Sequence, residues 1–358
     1  MSSEKRAALS HDAIIARLRG QTLRVPDLTA IFAGWPTPPV NPRYQSLRDP
    51  VHQVIGKIST KRPSSQRRQN DDLSLLTSLW YPAAPYDRLR TLAMYTVWLV
   101  CWDDEVDANE GDLAGDFAKA EAWRQETLDM VRAAFGLSEN TTALDVEDSL
   151  HRVIMDVGSD LRQSYSTDQR QHVFDKISLF IRSCAEEQKL QLDKIVPDYD
   201  TYMSMRLQTV GGDTLCSLIE FSSNGHERAP LGFSSARHEI DKQVSVLLSL
   251  LNDLLSLKKE LRTECVINAV ATLMTDSNTL ESVVADIIGK MGASVTEFDD
   301  AAKQLENSLT SQGQQQAVRE YVNGCRSIIT GTLEFTLKSP RYKLASLLAD
   351  DGSLEVVL

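Results

Sequence analysis

The chain has 358 residues, 42% of them hydrophobic, with only 17 Gly and 12 Pro. That supplies a sizeable core and too few turn formers for a loop-rich or all-β protein. The net charge of −12 argues against a general nucleic-acid binder, which carries a basic face. It does not exclude a phosphate substrate, because bound cations supply local positive charge that a bulk count misses. Cys101, Cys184, Cys216, Cys265 and Cys325 are scattered without a C-x-x-C pair and read as reduced thiols of a cytoplasmic protein. Residues 1–19 are charged and polar, unlike a signal peptide, and no apolar run reaches the ~20 residues of a membrane span.

Residues 1–70 form a partly irregular, loosely attached N-terminal segment. A short amphipathic helix is expected over 11–18, followed by Pro26, Pro36, Pro38, Pro39 and Pro42, which interrupt regular structure. Residues 61–70 are basic and polar and read as a loop. A helical domain follows over 71–345, with a tail over 346–358. Asp71-Asp72 cap a helix carrying Leu73, Leu76, Leu79 and Trp80. Residues 86–107 form one helix that is apolar on nearly every side, and hence buried. Further helices are expected over 114–135, 143–162 and 167–196. Within 199–222, Gly211-Gly212 interrupts a helical pattern, which fits either a kink or a close helix–helix contact. The helix over 234–261 comes next, and then closing helices over 268–274, 280–291, 298–309 and 315–337. No alternating run is long enough to build a sheet, so the expected fold is an all-α single-domain bundle around a deep apolar cavity.

Two stretches carry chemistry. Trp98-Leu99-Val100-Cys101-Trp102 leads into four acids within five residues, Asp103, Asp104, Glu105 and Asp107. On a helix Asp103 and Asp107 lie one turn apart on the same face. Their mutual repulsion suits a hard divalent ion such as Mg²⁺, which takes oxygen ligands and keeps a substrate phosphate. The plainer alternative is a solvated helix end, since acids also pair at Asp71-Asp72, Asp299-Asp300 and Asp350-Asp351. In the second stretch Asn252, Ser256 and Glu260 are spaced four apart, on one helical stripe. Amide oxygen, hydroxyl and carboxylate make an oxygen-only donor set, suited to Mg²⁺ and not to zinc.

Asp103-Asp104-x-x-Asp107 resembles the aspartate-rich motif of class I terpene synthases. Asn252-Asp-x-x-Ser256-x-x-Lys259-Glu260 resembles their second metal motif, Arg206 their diphosphate-sensing arginine, and Arg341-Tyr342 their arginine–tyrosine pair. The resemblance runs from Trp98 to Tyr342 and departs from many bacterial members at Thr209, where they carry Asp. It implies Mg²⁺ as cofactor, three ions, with Mn²⁺ as a substitute. Asp103, Asp107, Asn252, Ser256 and Glu260 would be the ligands, and Arg206, Lys259, Arg341 and Tyr342 would contact the diphosphate. Tyr95, Trp98 and Phe180 would face the carbon chain of a prenyl diphosphate, with core packing as their alternative role. Chain-elongating relatives carry two Asp-rich motifs, so cyclisation is the implied reaction. Farnesyl diphosphate is the expected substrate. Geranylgeranyl diphosphate, a prenyltransferase and a non-catalytic helical scaffold stand as alternatives. The family is often dimeric, so the resemblance allows a homodimer, while the sequence itself does not give the oligomeric state.

Overall fold

The computed structural model describes residues 9–37, 39–106, 111–138, 148–223 and 234–358. Asp107 and the expected helical residues 143–147 lie outside them.

The first elements are α1 (His11–Leu18), β1 (Thr22–Val25) and α2 (Tyr44–Ser59). The sequence reading left α2 out, although Leu47, Val51, Ile55 and Ile58 recur at helical spacing and are all buried. Residues 61–70 are not an open loop. Pro63–Asn70 winds into a 3-10 segment that buries Arg68. Asp72 then caps α3 (Leu73–Trp80), accepting the Leu75 amide at 3.0 Å.

Helix α4 (Tyr86–Val106) is buried around nearly its whole circumference, with Tyr95, Trp98 and Trp102 at most 1% exposed. It packs against α2, α3 and α6 (Ser149–Ser164), and α5 (Phe117–Ala134) lies against α6. A reciprocal capping box at Ser166 and Gln169 starts α7 (Thr167–Leu192).

The expected break is present. Helix α8 (Tyr199–Thr209) ends at Gly211, whose φ of 78° lies in the left-handed region that glycine alone enters without strain. Short helices α9 (Gly212–Cys216) and α10 (Ile219–Ser222) follow. Gly212 also serves the other reading, because a Cβ there would come 2.7 Å from Ser245 Oγ.

Ser245 belongs to α11 (Ser235–Arg262), which is followed by α12 (Ala269–Leu273), α13 (Leu280–Asn307) and α14 (Gln312–Lys338). The two helices expected over 280–309 are one continuous helix, α13, packed along α11. The sequence around Gly292 reads as a break, but tertiary packing overrides local propensity there.

Strand β2 (Leu354–Val357) pairs antiparallel with β1, Thr22 opposite Val357 and Val25 opposite Leu354. This ribbon is too short to have shown as a sheet in the sequence. Leu18, Leu23, Leu47, Leu354 and Val356 all join the main apolar core, so the N-terminal segment is packed and not loosely attached.

Candidate active site

A cavity of about 260 Å³ opens where the C-terminal ends of α4 and α11 meet α7, α8, the start of α3 and the chain after α14. Of the residues singled out from sequence, Asp103, Arg206, Asn252, Ser256, Lys259, Glu260, Arg341 and Tyr342 all line it.

The α4 wall separates three consecutive acids. Successive residues on a helix point about 100° apart, so only Asp103 faces the cavity. Asp104 is fully buried behind it, where Arg68 binds both carboxylate oxygens and Arg67 Nη2 lies 3.0 Å away. Glu105 pairs with Arg62 at 3.0 Å. Arg68 continues to Asp71 at 2.8 Å, and Arg341 stands 3.6 Å from the same carboxylate.

The α11 wall behaves differently, because its four-residue spacing keeps every member of the stripe on one side. The Ser256 hydroxyl donates to Glu260 Oε1 and lies 2.6 Å from the Asn252 carbonyl. Asn268 Nδ2 donates to Glu260 Oε2 at 2.8 Å. Burial, with the charge of Asp253 adding to it, pushes the Glu260 carboxyl up to about 7. Arg206 reaches across from α8, its Nη2 donating to Asn252 Oδ1 at 2.8 Å and lying 3.3 Å from Asp253 Oδ1. Burial opposes its charge, but Tyr202, Asp253, Glu187 and Glu260 more than offset that and hold the guanidinium ionised. Burial likewise raises the Tyr342 phenol, which leaves it a neutral donor.

The donor set across this cavity is oxygen only: a carboxylate at Asp103, and amide oxygen, hydroxyl and carboxylate on the stripe. Hard divalent cations take such ligands. The residues therefore fit a divalent metal.

The structure does not bring Tyr95, Trp98 and Phe180 to the cavity wall. Tyr95 and Trp98 pack at a tilt with ring centroids 5.7 Å apart, and Phe180 packs on Trp102 at 5.5 Å. They are core residues: α4 turns Tyr95 and Trp98, and α7 turns Phe180, into the bundle. The wall is made instead by Leu73, Leu76, Val100, Ile267 and Phe335. Thr209 also lines the cavity, and its hydroxyl has no partner among the described residues.

The sequence reading missed Arg68, Asp71, Glu187, Gln188 and Asn268. Asp71 was read only as a helix cap and Arg68 only as loop charge. Nothing local to either marks a contact 36 residues away, such as Arg68 with Asp104.

Residues 94–297 match the model of terpene synthase family 2, C-terminal metal binding. The chain belongs to the terpene synthase family. This terpene synthase is similar to the sesquiterpene cyclase hepA of Aspergillus oryzae, 28% identical over 97% of this chain and 96% of that one. It is also similar to the terpene cyclase braA of Annulohypoxylon truncatum, 24% identical over 92% and 88%. Its fold is that of the crystal structure of α-eudesmol synthase, with a TM-score of 0.72 at 18% identity over 85% and 97% of the two chains. The terpene synthase is thus an all-α, metal-binding enzyme, and among its described residues no helix is long and apolar enough to cross a membrane.

Proposed function

We propose that this enzyme ionises farnesyl diphosphate and closes the carbon chain into a sesquiterpene hydrocarbon or alcohol, releasing diphosphate, with Mg²⁺ as its cofactor. The observation that carries this reading is the meeting of two oxygen-donor walls and four diphosphate-type contacts on one cavity. Asp103 would hold metal on one side, with Asp107 as its expected companion, and Asn252, Ser256 and Glu260 on the other. When bound, the ions supply charge neutralisation of the departing diphosphate.

The chain's own groups do the rest. Arg206, Lys259 and Arg341 offer fixed positive charge, and the Tyr342 hydroxyl a neutral hydrogen bond, to diphosphate oxygens. Arg206 stays in place without substrate because Asn252 and Asp253 hold it. Leu73, Leu76, Val100, Ile267 and Phe335 keep water from the allylic carbons. The name of the hepA relative, a sesquiterpene cyclase, supports the C15 substrate over a C20 one. The five cysteines are all free thiols, which supports a cytoplasmic location.

The test is a parallel incubation with geranyl, farnesyl and geranylgeranyl diphosphates, each with Mg²⁺ and with a chelator, read by gas chromatography–mass spectrometry. A Mg²⁺-dependent C15 product from farnesyl diphosphate alone is expected. A C20 product would overturn the substrate, and no product from any of them would overturn the cyclase reading.

A further inference from the structure

Asn268 stands outside both metal stripes, eight residues beyond Glu260, and is 0% exposed. A buried primary amide must place two donor hydrogens and an acceptor oxygen. Its Oδ1 accepts the Val270 amide at 2.8 Å, which makes it the N-cap of α12. Its Nδ2 donates to the Asp253 carbonyl at 2.9 Å and to Glu260 Oε2 at 2.8 Å. The two backbone partners fix which way the amide faces, because an N–H only donates and a carbonyl only accepts. The NH₂ therefore has no alternative to facing Glu260. One residue further, the Ala269 amide donates to Asp253 Oδ2 at 2.8 Å, and Asp253 is the carboxylate beside Arg206. The chain entering α12 thus folds back on the end of α11 and grips it at two points.

We propose that Asn268 is a positioning residue for Glu260, orienting that carboxylate toward the cavity so that it binds metal. The proposal rests on Glu260 being a metal ligand. With Oε2 held by Asn268 and Oε1 by Ser256, the carboxylate is fixed before any metal arrives. Without the amide, Glu260 would be free to turn about its side-chain torsions, and its remaining lone pairs would no longer be presented in one direction.

Two substitutions separate this role from helix capping. Asp and Ser serve as N-caps about as well as Asn, so Asn268→Asp and Asn268→Ser both keep the Val270 contact while removing the NH₂ that serves Glu260 and the Asp253 carbonyl. The readout is thermal melting of the full chain in inorganic diphosphate as Mg²⁺ is raised, with circular dichroism as the check on folding. In both variants the Mg²⁺ concentration for half the stabilising shift should rise about 10- to 100-fold. Melting without metal should fall in both, because the buried Asp253 carbonyl also loses its donor. In a Glu260→Gln background, adding Asn268→Ser should raise it no further. Unchanged Mg²⁺ response in folded variants, or an equal rise in the Glu260→Gln background, would overturn the proposal. Failure of both variants to fold would also overturn it, leaving a purely architectural residue; if only one folds, that one decides. No Mg²⁺-dependent shift in the wild type would instead refute the metal reading of Glu260 itself.

Discussion

The acidic turn of α4 and the polar stripe of α11 both end a long buried helix at the same cavity, yet they are built in opposite ways. On α4 the charge is dense, and most of it is structural: Asp104 and Glu105 are consumed by Arg68, Arg67 and Arg62, and among the described acids of this turn Asp103 alone looks out. On α11 the stripe is sparse, with a single carboxylate among three residues, and all three face the cavity. Charge density along a sequence is thus a poor guide to a site, and angular spacing on the helix is a better one.

The comparison is open to attack, and the largest effect should come from its two cavity-facing acids. Asp103→Ala and Glu260→Ala should each lower turnover at least ~10²- to 10³-fold, the scale of losing one electrostatic contact to a developing anion. Helicity should be unchanged, and a chelator should reproduce the loss in the wild type. Normal turnover in either variant would sink the metal assignment.

The next effect tests the division within α4. Asp104→Ala leaves the buried Arg68 guanidinium with Asp71 as its remaining counter-ion and should destabilise the fold by up to about 3–5 kcal/mol, read by chemical denaturation. The adjacent Asp103→Ala should cost less, because its carboxylate faces the cavity and not a buried guanidinium. Equal destabilisation by both would erase the distinction between neighbours.

A smaller effect concerns pH. With its folded value raised to about 7, Glu260 is favoured by folding in its neutral form. Without metal, its contribution to stability is full below the ordinary carboxylate value and is lost as pH rises through about 7. Metal binding runs the other way, since the carboxyl must release its proton to become a ligand. Mg²⁺ affinity should fall about tenfold per pH unit below 7, with the released proton visible by calorimetry in buffers of different ionisation enthalpy. The smallest effect is the control: exposed Asp300, 3.4 Å from Lys303, should tolerate Ala within about 0.5 kcal/mol.

Much of this was legible in advance because helical period and capping are local. The buried circumference of α4, the break at Gly211 and the stripe of α11 follow from spacing alone. What escaped notice depends on distant partners. Arg68 reads as loop charge until Asp104 is placed beside it, and Asn268 reads as a helix start until Glu260 is seen above its amide. Tyr95 and Trp98 mislead for a related reason. Their aromatic character is visible in the sequence, but whether they meet the core or the cavity depends on how far along α4 the opening extends. Helix α2 is the exception, since its period was present and was obscured by Pro50 within it.

The pairing of β1 with β2 bears on how the molecule is made. A ribosome adds about 5–20 residues per second, so the strand over 22–25 waits on the order of tens of seconds for its partner at 354–357 to be synthesised. Arg341 and Tyr342 emerge only a dozen residues ahead of that partner. Arg341 and Tyr342 therefore join the cavity wall long after the strand over 22–25 has been made. A chain interrupted before residue 341 lacks two of the cationic and phenolic groups that line the cavity, Arg341 and Tyr342.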